Sequence, residues 1–330
     1  MTETRRTRWQ RRAKTIPTML AATVVAVLGL PLLVPLTVAV DLVRLKLRLP
    51  TLRVYLFLLQ YLINDSAEIL LAPLYWVRAG FGTTLDSQSS IARHQRLQWW
   101  SVQLLQKRAD QLLGLRVTID DGSRDALDAG PIIAISRHVS LFDASLPGIV
   151  LQPAGFTVRG VIMAEMLADP GFDLLYARLG SVFVPRDRGA KAVAEIERMT
   201  STADADTALV IFPEGRLFRR SVRDRRLARL AESDPERAER LVGLTALLPP
   251  RPGGLQAMLA AVPEADVVMI NHSGLERLRS VKDLLAAVPV GEPVLTEVRR
   301  IPRSEIPADP DDQVRWLDDL WLELDTELTG

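Results

Sequence analysis

Pro131-Ile132-Ile133-Ala134-Ile135-Ser136-Arg137-His138-Val139-Ser140-Leu141-Phe142-Asp143 decides how this chain folds. The first half is a short run of branched apolar residues, the pattern of a strand buried on both faces. The second half turns polar at once, with a histidine just past the strand end and an aspartate five positions later. In open α/β sheets, ligands gather at the carboxyl ends of strands. Val139 to Phe142 can start a helical turn, which carries Asp143 back towards the imidazole. A neutral imidazole takes a proton from a hydroxyl near neutral pH. A carboxylate on its far nitrogen fixes the tautomer and steadies the imidazolium that forms.

Outward from this stretch, short branched runs alternate with helical patterns. Strands are predicted at 115–119, 131–136, 157–163, 181–184, 208–212, 267–271 and 293–301. Helices are predicted near 141–151, 171–179, 190–199, 254–261 and 310–328. This alternation gives an α/β fold with a central, mostly buried sheet flanked by helices. The strand Ala208-Leu209-Val210-Ile211-Phe212 runs into the polar loop Pro213-Glu214-Gly215-Arg216, which thus leaves a strand end as the His138 loop does. A charged stretch at 218–241, broken at Asp234-Pro235, reads as a solvated surface excursion. His272, at the end of another apolar strand, reads as a satisfied strand-end residue, with a second polar contribution to the cleft as the alternative. The 310–328 helix, opened by Asp309-Pro310, reads as a packing element.

Composition removes several classes of function. The 330 residues carry 41 Lys+Arg against 40 Asp+Glu, so bulk charge gives no reason to expect nucleic-acid binding. There is no cysteine, which excludes disulfides, thiolate catalysis and cysteine-ligated zinc. The three histidines are scattered, so no His-rich metal site is expected. His94 reads as a solvated side chain on an amphipathic helix at 88–113. The apolar stripe of that helix fits either packing on the catalytic part or, through Trp99-Trp100, a seat at lipid headgroup level.

The N-terminal part is different. Residues 1–14 form a basic arm with Arg5, Arg6, Arg8, Arg11, Arg12 and Lys14 against Glu3, and 15–80 form an apolar helical segment. Ile16 to Val40 spans 25 positions without a charge, enough for a bilayer core and longer than the 7–15 residues usual in a secretory signal. Pro31 and Pro35 are expected to kink it. A second apolar stretch, Val54 to Val77, contains Asn64, Asp65 and Glu68, and Asp65-Ser66 reads as a break between two shorter helices. Basic residues on both flanks (Arg44, Lys46, Arg48 and Arg53 on the far side) fit a hairpin or re-entrant arrangement with both ends on the cytoplasmic face. Residues 81–330 are left for the catalytic domain.

Four blocks in order make this chain resemble the glycerolipid (lysophospholipid) acyltransferase family, the 1-acyl-glycerol-3-phosphate acyltransferases among them. They are His138-x4-Asp143; Gly180-Ser181-Val182-Phe183-Val184-Pro185-Arg186; Phe212-Pro213-Glu214-Gly215; and Leu248-Pro249-Pro250-Arg251-Pro252-Gly253-Gly254. The resemblance implies transfer of a fatty acyl group from acyl-CoA or acyl-carrier protein to a lysophospholipid hydroxyl, at the cell membrane, without metal or cofactor. It implies His138 and Asp143 as the catalytic pair, and Arg186, Glu214, Gly215 and Arg216 around the acceptor's glycerol-phosphate. Guanidinium groups suit that role through their two-donor fork. The chain departs from the family at Arg137, where Asn is common; at Arg216, one position early; and at Met163, where a Lys is frequent. Arg137, Arg159 and Arg251 are the candidates to supply the displaced charge. These departures leave two alternatives beside phosphatidic acid synthesis: a glycolipid or aminolipid acceptor, or a lipid- or acyl-CoA-binding protein without turnover. Ser136 and Ser140 flank the histidine, but neither sits in a Gly-x-Ser-x-Gly elbow, so the hydroxyl is expected to attack the thioester directly.

Overall fold

The computed structural model describes residues 4–185 and 190–329. Among them are seven strands: β1 Val117–Ile119, β2 Ile132–Ser136, β3 Thr157–Met163, β4 Val182–Val184, β5 Thr207–Ile211, β6 Asp266–Ser273 and β7 Val294–Ile301. The α-helices are α1 Arg5–Leu28, α2 Leu30–Val43, α3 Pro50–Arg78, α4 Gln88–Arg108, α5 Leu146–Leu151, α6 Ala190–Thr200, α7 Arg220–Ser233, α8 Pro235–Leu241, α9 Pro252–Ala261, α10 Val281–Ala287 and α11 Pro310–Thr329. The chain divides into two compact units. One comprises Met1–Arg116, Ile162–Lys191 and Val281–Pro293; the other comprises Val117–Val161, Ala192–Ser280 and Val294–Gly330.

The second unit carries most of a mixed seven-stranded sheet, with its six strands in the order β1-β7-β6-β2-β5-β3. β2 lies at the centre, parallel to β5 on one side and to β6 on the other. Every residue of β2 and β5 is buried, which is why both read as unbroken apolar runs. β7 pairs antiparallel with β6 and has one face on the core and one in solvent, so burial alternates along its first five residues. The core is built from Ile132, Ala134, Val150, Leu151, Ala208, Val210, Val268 and Ile270. α9 packs on β2 and β5, and α11 on α9. Gly254, in the first turn of α9, lets the helix lie close to β5: a Cβ there would come within 2.5 Å of the terminal methyl of Ile211, which would have to shift.

The first unit holds the apolar helices. α1 and α2 meet at Gly29 with a bend of 70°, so the chain turns at the glycine, and Pro31 falls in the first turn of α2, where proline is tolerated. Asp41, fully buried in α2, accepts the backbone N–H groups of Thr51 (2.9 Å) and Leu52 (3.2 Å) and so caps α3. α3 runs unbroken for 29 residues, about 43 Å at 1.5 Å per residue. The predicted break at Asp65-Ser66 is therefore wrong. These polar residues are buried against other elements: the Asp65 carboxylate accepts the Gly171 N–H (2.8 Å), Ser66 meets Thr23 (2.8 Å), and Asn64 donates to Ser101 on α4 (2.6 Å), which also bonds Glu68. A polar side chain with internal partners has no need to end a helix. The basic start of α1 is anchored too, with Arg11 and Arg12 each 2.7 Å from Asp173. Burial alone would raise the Asp173 pKa, but the Arg12 and Arg11 guanidinium groups more than offset it and hold the carboxyl below its ordinary value. His94 is a second correction: it is buried on α4, its Nδ1 2.7 Å from the Ser90 carbonyl and its ring edge-on to Tyr75. On the same helix Leu97 packs against Leu175 and Leu179, whereas Trp100 is exposed.

Candidate active site

Because β2 and β5 are parallel neighbours with Ile135 opposite Ile211, their following loops leave the same edge of the sheet. One carries His138 and the other Glu214. A 3-10 turn, Phe142–Ser145, brings Asp143 back beneath the imidazole. The His138 Nδ1 is 2.6 Å from the Asp143 Oδ1, while the second oxygen accepts the N–H groups of Val139 (2.6 Å) and Ser140 (2.8 Å). Asp143 is fully buried, and the His138 side chain keeps one-fifth of its surface exposed. An acceptor-only carboxylate at Nδ1 favours the N–H there and leaves the Nε2 lone pair for an incoming proton. The face of the imidazole lies 4.7 Å from the Phe212 ring.

Glu214 fastens three segments. Its Oε1 accepts the His138 N–H (2.8 Å) and its Oε2 the Leu248 N–H (2.9 Å), with no surface exposed. Gly215 follows at φ +63°, a left-handed conformation that closes the turn through its N–H to the Phe212 carbonyl (2.8 Å) and that a side chain would strain. The Arg251 N–H donates to the Pro213 carbonyl at 2.9 Å, tying the fourth block to the third. Burial pushes the Glu214 pKa up to about 7, against the pull of the two N–H donors and the Arg137 charge. Above its ordinary 4.5, the unfolded chain releases a proton that the folded chain keeps, so this group's contribution to stability falls as pH rises from about 4.5 to about 7. We expect a loss of up to about 3 kcal/mol over that window, read by urea unfolding at successive pH values. Glu214→Gln is expected to flatten that slope while lowering stability overall by about 1–3 kcal/mol, since one backbone donor then faces an amide NH2. An unchanged slope would show that Glu214 titrates normally.

The remaining candidates lie elsewhere. Arg137 is buried, its Nη1 2.7 Å from Glu276 and 3.2 Å from the His272 carbonyl, so its charge is spent inside the unit. Arg159 donates to the carbonyl and hydroxyl of Thr202. Arg216 and Arg251 reach solvent beside the Glu214 loop. Arg186 lies outside the described residues. Both serine hydroxyls are occupied as donors, Ser136 to the Ile270 carbonyl (2.8 Å) and Ser140 to the Leu278 carbonyl (2.7 Å), and neither bonds His138. His272 is not the satisfied residue expected: it is buried with neither ring nitrogen hydrogen-bonded among the described residues, and its Nε2 stands 3.9 Å from the Asp143 Oδ2. Burial and the Arg137 charge push its pKa down to about 4, which keeps a second positive charge away from the pair. Sequence reading missed Glu276, which follows β6 and meets Arg137 only because β2 is the neighbouring strand, and Asp318 and Asp325 of α11. Asp325 accepts the N–H groups of Thr245, Ala246 and Leu247. The only signal for the two aspartates was their place on an otherwise apolar helical stripe.

Residues 116–273, which contain His138, Asp143, Glu214 and His272, match the family Acyltransferase. They are an acyltransferase domain. β1 to β6 fall inside the match, and β7 and α11 follow it. Among solved structures, the chain is similar to the 1-acyl-sn-glycerophosphate (LPA) acyltransferase PlsC from Thermotoga maritima. That similarity has 16% identity and a TM-score of 0.48, covering 83% of this chain and 98% of that one. No curated protein matches. In the acyltransferase domain the paired His138 and Asp143 provide a base with a free nitrogen, an orienting carboxylate and no serine or cysteine nucleophile, an arrangement suited to activating a hydroxyl.

Proposed function

We propose that this protein moves a fatty acyl group from an acyl thioester, acyl-CoA or acyl-carrier protein, to the hydroxyl of a lysophospholipid. The acceptor we favour is 1-acyl-glycerol-3-phosphate, giving phosphatidic acid. The observation that carries this reading is the 2.6 Å contact between His138 Nδ1 and Asp143, with the opposite nitrogen open. In the step, Nε2 takes the hydroxyl proton as the oxygen forms a bond to the thioester carbonyl carbon. The tetrahedral intermediate collapses, the carbon–sulfur bond breaks, and the thiolate leaves with the proton that Nε2 returns. The step balances with proton transfer and acyl migration alone. Arg216, exposed and next to Gly215, and Arg186 are both assigned to the acceptor's phosphate by resemblance.

The apolar surface supports a membrane as the working environment. Val25, Leu28, Leu32, Val43, Leu45 and Leu47 on α1, α2 and the turn after them are all more than two-thirds exposed, which water does not favour. α3 is long and apolar enough to cross a bilayer, and α1 with α2 passes the same test as a bent pair. Basic residues on both flanks of the bent pair support placing its ends, and the catalytic domain, on the cytoplasmic face of the cell membrane. Leu28→Glu with Leu32→Glu is expected to cut recovery with floated phosphatidylglycerol vesicles by about 100-fold or more, since each change costs about 3 kcal/mol on insertion scales. Equal flotation of variant and wild type would overturn this membrane seat.

The function is tested by offering purified protein a labelled acyl-CoA with a panel of lysolipids and identifying products by mass. Phosphatidic acid as the main product supports the proposal. Transfer confined to glycolipid or aminolipid acceptors would replace the acceptor, and no turnover with any acceptor would leave a binding protein.

A further inference from the structure

Between β5 and β6 the chain leaves the sheet for α7 and α8, and the return segment runs along them. Arg226 donates to the Pro249 carbonyl (2.7 Å), and Arg237 to the Pro250 carbonyl (2.9 Å) and, through both arms, to buried Asp318. Two arginines thus clamp a Pro-Pro wall against the helices. The clamp leaves a cleft of about 250 Å³, near the lower end of small-molecule sites at about 300 Å³ and upward. Among the described residues, no acidic one lines it. Arg229 and Arg251 do line it, and among the described residues neither has a carboxylate partner, nor does nearby Arg216. Burial and the like charges of Arg216 and Arg229 lower the pKa of Arg251. Three guanidinium groups gathered without an acid repel one another, and an anion brought by a ligand removes that repulsion.

We propose that this cleft is the subsite for the phosphate-bearing nucleotide of coenzyme A, so that the acyl donor is acyl-CoA. The inference rests on the acyl-transfer reading and names the donor it leaves open. Two features favour a nucleotide over a lone phosphate. About 250 Å³ is roughly eight times the share of one water, far more than a phosphomonoester fills. The cleft is also lined by the apolar side chains of Leu230, Pro249, Pro250 and Pro252, against which a base can pack. A concave site of this size also suits a small ligand better than the broad acidic surface of a carrier protein. The cleft is coupled to the chemistry through the backbone: Leu248 N–H is held by Glu214, which holds His138 in turn, and Arg251 N–H is held by Pro213.

The test compares acyl-CoA with the truncated thioester S-acyl-pantetheine, in wild type and in Arg229→Glu with Arg251→Glu. Both residues reach solvent, Arg251 with part of its guanidinium surface covered, and equal melting temperatures verify that the variant folds. Wild type is expected to prefer acyl-CoA in kcat/KM by about 10²- to 10⁴-fold, as two charge-assisted contacts imply. The variant is expected to lose that preference, and adenosine 3',5'-bisphosphate to compete with acyl-CoA in wild type only. A preference retained by the variant overturns the inference, as does a rise confined to the lysolipid KM, which would give the cleft to the acceptor's phosphate. Wild-type turnover with no preference between the two thioesters overturns it and leaves the acyl-transfer reading standing. Wild type inactive with every donor and acceptor would instead sink that reading and the inference with it.

Discussion

His138→Ala is expected to lower the turnover of acyl thioester and lysolipid by about 10²- to 10⁴-fold while the melting temperature moves little. The size follows from what is removed: an alcohol oxygen attacks slowly until a base takes its proton, and a positioned imidazole contributes about 10²–10⁴. Little stability is lost because the ring is at the surface edge of the site, packed against Phe212, and its Nδ1 is its only described hydrogen-bonding nitrogen. The backbone N–H that Glu214 holds belongs to residue 138 whatever its side chain. Single-turnover measurement with a labelled thioester, beside a thermal melt, checks both halves. Transfer at near wild-type rate in this variant would remove His138 from the mechanism.

Asp143→Asn has an effect of similar size for a different reason. The side-chain oxygen can still take the Val139 and Ser140 N–H groups, so the turn stays formed. The amide NH2 is then left facing Nδ1, which must become the acceptor and hand its proton to Nε2. The nitrogen that should accept the hydroxyl proton is now blocked by its own. In the trypsin-type triad the equivalent exchange drops kcat by about 10⁴, and a comparable loss is expected here with acceptor KM unchanged. Asp143→Ala separates orientation from folding: it leaves the two buried N–H groups unpaired, at about 1–3 kcal/mol each, so the loss of activity comes with a lowered melting temperature. If the Asp143→Asn variant kept full activity, the carboxylate would be only a structural clip for its turn.

The strands were legible because the physics that buries them is local. β2 and β5 have neighbours on both edges and helices on both faces, so their branched runs declare them, and all seven predicted strands lie within two residues of the observed ends. The pairing of His138 with Asp143 was legible for the same reason, since one short turn closes it. What stayed hidden depends on partners far along the chain. Nothing in Asp65 or Glu68 says that Gly171 and Ser101 will satisfy them, so a helix crossing those positions looked broken. His94 looked solvated because Tyr75, its ring partner, lies on another helix. Arg137 looked available for a phosphate, but Glu276 from the neighbouring strand end takes its charge. The Glu214 carboxylate, assigned to a ligand by resemblance, is wholly taken up by two backbone donors.

The strand order also bears on how the protein is made. β2 gains its neighbours from β5 and β6, and β6 begins only at Asp266. A ribosome adding about 5–20 residues per second therefore needs on the order of ten seconds after finishing β2 before the last of those edges is covered. Throughout that interval the leucine-rich start of the chain is already synthesised. The central strand thus waits with an open edge, a state in which nascent chains are prone to aggregate, and the His138 loop gains its final neighbours only when translation is four-fifths done.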